Sequence, residues 1–430
     1  MTQRPTDLAG IVNIFPPEAL KEDQMGFYQP TAAARGGEGY EFHDPLFQRI
    51  KTSRNKSHIL VVGHGGCGKS TELRMLTSKL RNDGIPSITI EANEELGVNI
   101  SYIDIFIVLV EQLVRFADDN NLRVPQKLIT AFREALSTKI TREYWVDRAE
   151  AGVESDASIS ASLPFLFKFV SKIAAALKVS SGQREELRQQ IDPKMKEIVN
   201  ALNALISEIN NGFNTRIVIV IDGLEKCRSD YARKLFSDDI SSLIAIETHL
   251  VVACPINIYR SPIGNTLRNI FVNQATMPMI KTHHPDSVDT PDSKGIEVIK
   301  ELICKRINPS FFEEDVLENI IMMAGGSLRD TCYLVRESAF EAHMRERKTV
   351  DMASAEYTMN RLAFDLFLSA EKKYFPMLKK IFSRYLTPEN DPDLSALLYA
   401  GVVFEYNGDR WVDLHPLIRR YIEKRPGMLD

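Results

Sequence analysis

The stretch 58-HILVVGHGGCGKSTELRML-76 runs from an apolar segment through four glycines into a lysine, two hydroxyls and apolar residues at helical spacing. The apolar segment predicts a strand over 58–63, and the spacing after the loop predicts a helix from about Lys69 to Arg81. Between them, Gly63-His64-Gly65-Gly66-Cys67-Gly68-Lys69-Ser70 fits G-x-x-x-x-G-K-[ST] in full. The glycines let backbone N–H groups curl around phosphate oxygens with no Cβ in the way. The helix N-terminus adds partial positive charge. Lys69 is expected to bridge the β- and γ-phosphates, and Ser70 to place its hydroxyl on Mg²⁺. The expected cofactor is ATP with Mg²⁺, held by Gly63, Gly65, Gly66, Cys67, Gly68, Lys69, Ser70 and Thr71. Cys67 also reads as a small packing residue, and His64 as a loop residue on the solvent side.

Outward from this loop, strands alternate with helices. A strand is expected at 87–92, a helix at 101–119, a helix near 194–210, and strands at 216–222, 249–255 and 275–281. This alternation predicts an α/β fold, a parallel sheet with helices on both faces. Residues 1–50 read as an N-terminal arm and 51–285 as the core, with an insertion at about 141–193. In that insertion, 163-LPFLFKFVSKIAAAL-177 puts Lys168 and Lys172 on one face and Phe165, Phe169 and Ile173 on others. Packing on its own domain, a partner-binding helix and a membrane-surface helix all fit this pattern. Helices are then expected at 294–307, 313–324, 327–344 and 351–370. This gives a helical lid over 286–350 and a C-terminal winged-helix domain over 351–430. The last domain ends in 394-LSALLYAGVVFEYNGDRWVDLHPLIRRYIEK-424, where Asn407-Gly408 between alternating residues is a hairpin signal.

The chain has 430 residues, 44% hydrophobic and 26% charged, with a formal charge of −5. A whole-molecule polyanion binder is excluded, so DNA contact needs a local basic patch. The five cysteines are scattered, without a CxxC or Cys/His cluster, and suggest reduced thiols rather than zinc or disulfides. No apolar run reaches membrane-spanning length, and a cytoplasmic protein is expected.

Three further groups carry chemistry. In 217-IVIVIDGLEKC-227 a buried β-branched strand delivers Asp222 at its C-terminal end, where such sheets place ligands. An acid there suits the magnesium shell. Gly223 follows, so Glu225 is the nearest carboxylate to orient water. In 325-GGSLRD-330 two glycines end one helix, and Ser327 with Asp330 forms a capping box that starts the next. Arg329 then lies in a first helical turn, able to reach a γ-phosphate.

Together the phosphate loop, the DGLE strand end, the GGSLRD lid and the terminal hairpin resemble the AAA+ and STAND-type P-loop ATPases. The order is similar to the origin-initiator branch, where a winged helix follows the lid. The run GHGGCGKSTEL is also similar to bacterial ATPases found beside antiphage or mobile-element genes. The resemblance implies nucleotide and metal roles for Lys69, Ser70 and Asp222 and a second-sensor role for Arg329. It implies that Glu225 stands in for the usual adjacent glutamate. It makes Asn257 a first-sensor candidate and Arg268 an arginine-finger candidate, with Arg260 less well placed. Arg35 in the arm is a candidate for touching nucleotide or a neighbour. The implied protein is a slow ATP-hydrolysing molecular switch that assembles with itself or with a separate effector. Alternatives are a DNA-binding initiator or transposition-regulator ATPase and a nucleotide-locked scaffold. The terminal basic residues Arg410, Arg419, Arg420, Lys424 and Arg425 are offset by Asp409, Asp413 and Glu423, which favours protein over DNA as the partner of the winged helix.

Overall fold

A computed structural model describes residues 4–36, 39–137, 163–178, 181–285, 287–383, 391–406 and 411–429. Its centre is a five-stranded parallel sheet in the order β2-β3-β4-β1-β5. The strands are β1 (His58–Gly63), β2 (Ser87–Glu91), β3 (Val218–Asp222), β4 (His249–Pro255) and β5 (Asn273–Met277). The expected sheet is present, with β5 beginning and ending a few residues earlier than the sequence suggested.

Alternate residues of the strands feed two different cores, as a pleated strand requires. Ile59 and Val61, Val218 and Val220, and Val251 and Ala253 face one side. There they meet Leu73, Leu76 and Leu80 of the helix Lys69–Asn82, and Leu46, Phe47 and Ile50 of the helix His43–Thr52. Leu60, Val62, Ile219, Ile221, Leu250 and Val252 face the other, against the helices Tyr102–Asp119 and Met195–Phe213. The register aligns Gly63 with both Pro255 and Met277, and Glu91 with Asp222. The C-terminal ends of all five strands therefore open on one side.

The helix Leu163–Ala176 buries Phe165, Leu166, Phe169, Val170, Ile173 and Ala174, and leaves Lys168 and Lys172 exposed. It packs on the helix Tyr102–Asp119, so this part of the insertion belongs to the core. Of the three placements compatible with its sequence, packing on its own domain is the one observed. The polar stretch after it forms a further helix, Ser181–Ile191. Arg184 and Arg188, one turn apart, both reach the buried carboxylate of Asp104.

The arm carries a helix, Leu8–Ile14, capped by Asp7, whose Oδ1 accepts from Gly10 N at 2.8 Å. A two-stranded ribbon, β6 (His283–His284) and β7 (Ser287–Pro291), leads into the helices of the segment expected to form a lid, Ser293–Cys304, Val316–Met323 and Leu328–Met344. The helix Leu8–Ile14 packs on the last of these, so the arm bridges core and lid. The helices Met352–Leu368, Phe375–Ser383 and Pro392–Ala400 follow. The antiparallel pair β8 (Val403–Glu405) and β9 (Val412–Leu414) and the helix Pro416–Glu423 end the chain. The two strands expected around Asn407-Gly408 form; the turn itself, with Arg410, lies outside the described residues.

Candidate nucleotide-binding site

Gly66 and Gly68 adopt φ of 87° and 104°, a left-handed conformation that turns the loop around its own N–H groups. Lys69 is buried. Its Nζ donates to the carbonyl of Gly63 at 3.0 Å and of His64 at 2.8 Å, across the loop. Burial alone would push the ammonium down, but surrounding negative groups, Glu225 and Asp222 among them, outweigh it and hold its pKa above the usual value.

Asp222 is buried at the end of β3, with Ser70 in hydrogen-bonding reach. Burial, then the nearby Glu225 charge, raises its carboxyl above the usual range, while Ser70 and Lys69 pull the other way. Asp222 Oδ1 and Glu225 Oε2 are both shielded from solvent and have no hydrogen-bond partner among the described residues. Buried carboxylate oxygens are costly when unpaired. Two such oxygens beside a serine hydroxyl suit a hard divalent cation that keeps several of its waters. The residues present therefore fit Mg²⁺.

The helix Leu328–Met344 approaches the loop from the other side. Leu328 N and Arg329 N donate to Gly66 O at 3.0 and 3.3 Å. Arg329 is exposed to solvent on one side, and on the other its guanidinium lies across Gly65. A Cβ at Gly65 would sit 2.8 Å from Arg329 Nη2, and one at Gly66 2.9 Å from Arg329 Cβ. Ser327 Oγ accepts from Asp330 N at 3.2 Å, so half of the expected capping box forms. The Asp330 carboxylate instead lies 3.5 Å from His415 Nε2. Gly326 is required by the approach: a Cβ there would meet the Ile280 carbonyl at 1.8 Å.

The resulting cavity has a volume of about 360 Å³. Gly66, Gly68, Lys69, Ser70, Thr71, Asp222, Glu225 and Arg329 all line it, together with arm residues between Pro17 and Thr31. Gly63, Gly65 and Cys67, also expected to hold the cofactor, are not among its lining residues. Cys67 is buried with Met277, Phe404, Tyr406 and Trp411, the packing role expected of it. Gly65 lies under Arg329.

Five further sequence candidates lie outside the cavity's lining. His64 is buried rather than solvent-facing, because β8 covers it. Its Nε2 accepts from Glu405 N at 2.8 Å. Burial, aided by the charges of Lys69, Arg260 and Arg329, pushes its pKa down to about 3, so the ring is a neutral acceptor. Arg260 is not presented to a neighbour. It is buried against Glu405, with Nε donating to Oε2 at 2.7 Å. Asn257 is buried in a single helical turn, its carbonyl accepting from Ser395 Oγ at 2.9 Å, and is not among the cavity's lining residues. Arg35 touches the loop itself: Nη2 donates to Cys67 O at 2.5 Å, Nη1 to Pro278 O, and Nε to Thr31 Oγ1 at 3.1 Å. Arg268 does not line this cavity. It lies over the Tyr259 ring at 5.2 Å and bonds Asn265.

Sequence reasoning passed over Glu72. Buried in the helix after the loop, it accepts from Tyr28 Oη at 2.9 Å and lies 2.8 Å from His43 Nδ1, which fastens the arm to the phosphate loop's helix. An acid on the inner face of an amphipathic helix was the available signal.

A parallel sheet with a glycine phosphate loop, a following lysine and serine, and an acid ending a neighbouring strand defines a P-loop NTPase. Residues 41–238 match the model of the KAP family P-loop domain, in keeping with the P-loop NTPase fold of the sheet and loop. No curated protein sequence matches the chain. Among solved structures, Cdc6p from Pyrobaculum aerophilum is similar at 13% identity and a TM-score of 0.42, with 96% of this chain and 97% of that one covered. The Aeropyrum pernix ORC2 protein, solved as ADPNP-ADP complexes, gives 9%, 0.43, 92% and 94%. The Thermotoga maritima RuvB Holliday junction branch migration motor gives 11%, 0.34, 96% and 97%. Among the described residues no helix is long and apolar enough to cross a membrane.

Proposed function

We propose that the chain is an ATP-binding, Mg²⁺-dependent and slowly ATP-hydrolysing switch of the AAA+ and STAND type. The single observation that carries this reading is the convergence of Lys69, Ser70, Asp222, Glu225 and Arg329 on one cavity, with one carboxylate oxygen each of Asp222 and Glu225 unpartnered among the described residues. Lys69 neutralises the β- and γ-phosphates. Ser70 and Asp222 hold Mg²⁺ and its waters, and the ion supplies charge stabilisation to the transferring group. Glu225 orients the attacking water, and Arg329 takes charge on the γ-phosphate. Turnover is slow because no acid adjoins Asp222: Gly223 occupies that place.

The switch element is the C-terminal winged-helix domain, 351–430. Its strand β8 touches the phosphate loop at His64 and the core at Arg260, and Tyr406 Oη donates to the lid at Gly325 O, 2.9 Å. The arm (1–50), core (51–285) and lid (286–350) enclose the nucleotide, and this domain reports on it. The output is assembly with further copies, through Arg268, or with a separate effector protein, in the antiphage-defence setting that the GHGGCGKSTEL resemblance suggests. A protein partner is favoured over DNA because terminal basic residues are engaged: Arg419 pairs with Asp413 and Arg420 with Glu356.

Single-turnover hydrolysis by Glu225→Gln tests the reading. Nucleotide stays bound and turnover falls about 10²-fold or more, the range of a general base. Unchanged turnover makes Glu225 a loop acid, and an absence of hydrolysis in the unaltered protein leaves the nucleotide-locked scaffold.

A further inference from the structure

Arg306 follows the first lid helix and is only 6% exposed. No carboxylate pairs with it among the described residues. Its Nη1 reaches the Cys332 sulfur at 3.8 Å, and its Nε–H is shielded and meets no acceptor among the described residues. The rings of Phe15 and Phe27 flank the guanidinium at 5.1 and 5.9 Å, which holds it in place from the arm. It also lines the cavity described above.

A guanidinium offers only donors. Leaving a buried one with an unmatched N–H and only a weak sulfur acceptor is costly in a protein interior. It makes sense where the acceptor arrives with a ligand. Ser70, Asp222 and Glu225 mark the metal and terminal-phosphate end of the cavity. Arg306 lies on the arm-and-lid side, among Phe27, Leu302, Leu328 and Cys332. Those walls are apolar and suit a flat base rather than an anion. Cys332 also stands one helical turn beyond Arg329, the residue over the phosphate loop.

We propose that Arg306 reads the nucleobase, donating from its guanidinium to a ring nitrogen of a purine held between arm and lid. This rests on the nucleotide-binding reading above and names a specificity residue within it. Phe15 and Phe27 position the guanidinium, so the arm contributes to base recognition without touching phosphate.

Isothermal titration with ATP and with inorganic tripolyphosphate tests it. Arg306→Met is expected to weaken ATP roughly tenfold or more, the factor for one charged hydrogen bond, and to leave tripolyphosphate unchanged. Arg306→Lys recovers part of the ATP affinity. Arg329→Ala weakens both ligands. An equal loss of tripolyphosphate in Arg306→Met means a phosphate contact and overturns the proposal, as does no loss of either. A second arm uses the unaltered protein and does not depend on a variant folding. Among the 1-deaza, 3-deaza and 7-deaza analogues of ATP, at least one should bind roughly tenfold more weakly than ATP. Equal binding of all three overturns the proposal. Failure of the unaltered protein to bind either ATP or tripolyphosphate instead removes the nucleotide reading on which the proposal stands.

Discussion

Replacing Glu405 by Met strikes the joint between the terminal hairpin and the core. The Glu405 and Arg260 side chains are 3% and 9% exposed, and the guanidinium meets the carboxylate through two nitrogens. Removing one partner strands a buried charge, which costs about 3–5 kcal/mol. Arg260→Met strands Glu405 in the same way. The double variant strands neither charge, and two methionines roughly conserve the volume. It is expected to lie within about 1 kcal/mol of the parent, because apolar replacement of a buried pair is often neutral. The reporter is Trp411, buried and stacked on Tyr406 at 4.4 Å between ring centroids, followed by its emission during urea unfolding in a Trp145→Phe background. Each single variant should lower the midpoint of the Trp411 transition, and the double variant should recover most of the loss. A double variant as destabilised as the sum of the singles would refute the reasoning. The two side chains would then act independently, and the hairpin would be held by its apolar contacts alone.

Two further outcomes follow from the same geometry. Mixing Arg268→Ala protein with Lys69→Ala protein should restore some ATPase activity, because a mixed interface pairs an intact phosphate loop with an intact arginine; a rate no higher than that of either variant alone refutes the trans placement. For pH, His64 has its folded pKa pushed down to about 3 and His249 to about 4, in each case by burial first, from an ordinary 6.5. Their contribution to stability is fully present above pH 6.5. It is lost as pH falls from there toward the folded values, because the unfolded chain takes up protons that the folded chain refuses, at up to about 1.4 kcal/mol per pH unit for each ring. His64→Gln keeps an acceptor for Glu405 N–H without the titration, so its urea midpoint should fall less between pH 6.5 and 5 than the parent's; parallel curves refute this share.

The phosphate loop was legible because its parts are consecutive. Strand, glycines, lysine and helix all lie within 58–76, and each follows a local rule. Asp222 was legible for the same reason, since a five-residue β-branched strand announces its own end. Arg329 could be aimed because the Ser327 cap fixes the direction of the first turn. His64 could not be read locally. The strand that buries it, β8, comes from 341 residues away, and nothing in a glycine loop reports such a partner. Arg260 could not be placed locally either: its partner lies 145 residues on. The helix Leu163–Ala176 kept three placements open because an apolar stripe does not say what covers it. Arg35 and Glu72 are polar residues whose burial follows from the arm crossing the loop's helix, a tertiary event without a period in the sequence. Arg306 likewise carries no local signal. It is its missing partner in three dimensions that marks it.

We propose above that this loop holds a nucleoside triphosphate through Lys69, with magnesium at Ser70 and Asp222. The most direct measurement is titration of ATP, with and without Mg²⁺, into the unaltered protein and into Lys69→Ala. This arrangement predicts binding strengthened by Mg²⁺ in the first. In the second it predicts a loss of at least tenfold with the fold intact by circular dichroism, since a charged hydrogen-bonding group has been withdrawn from the phosphates. Equal ATP affinity in the two proteins would contradict it.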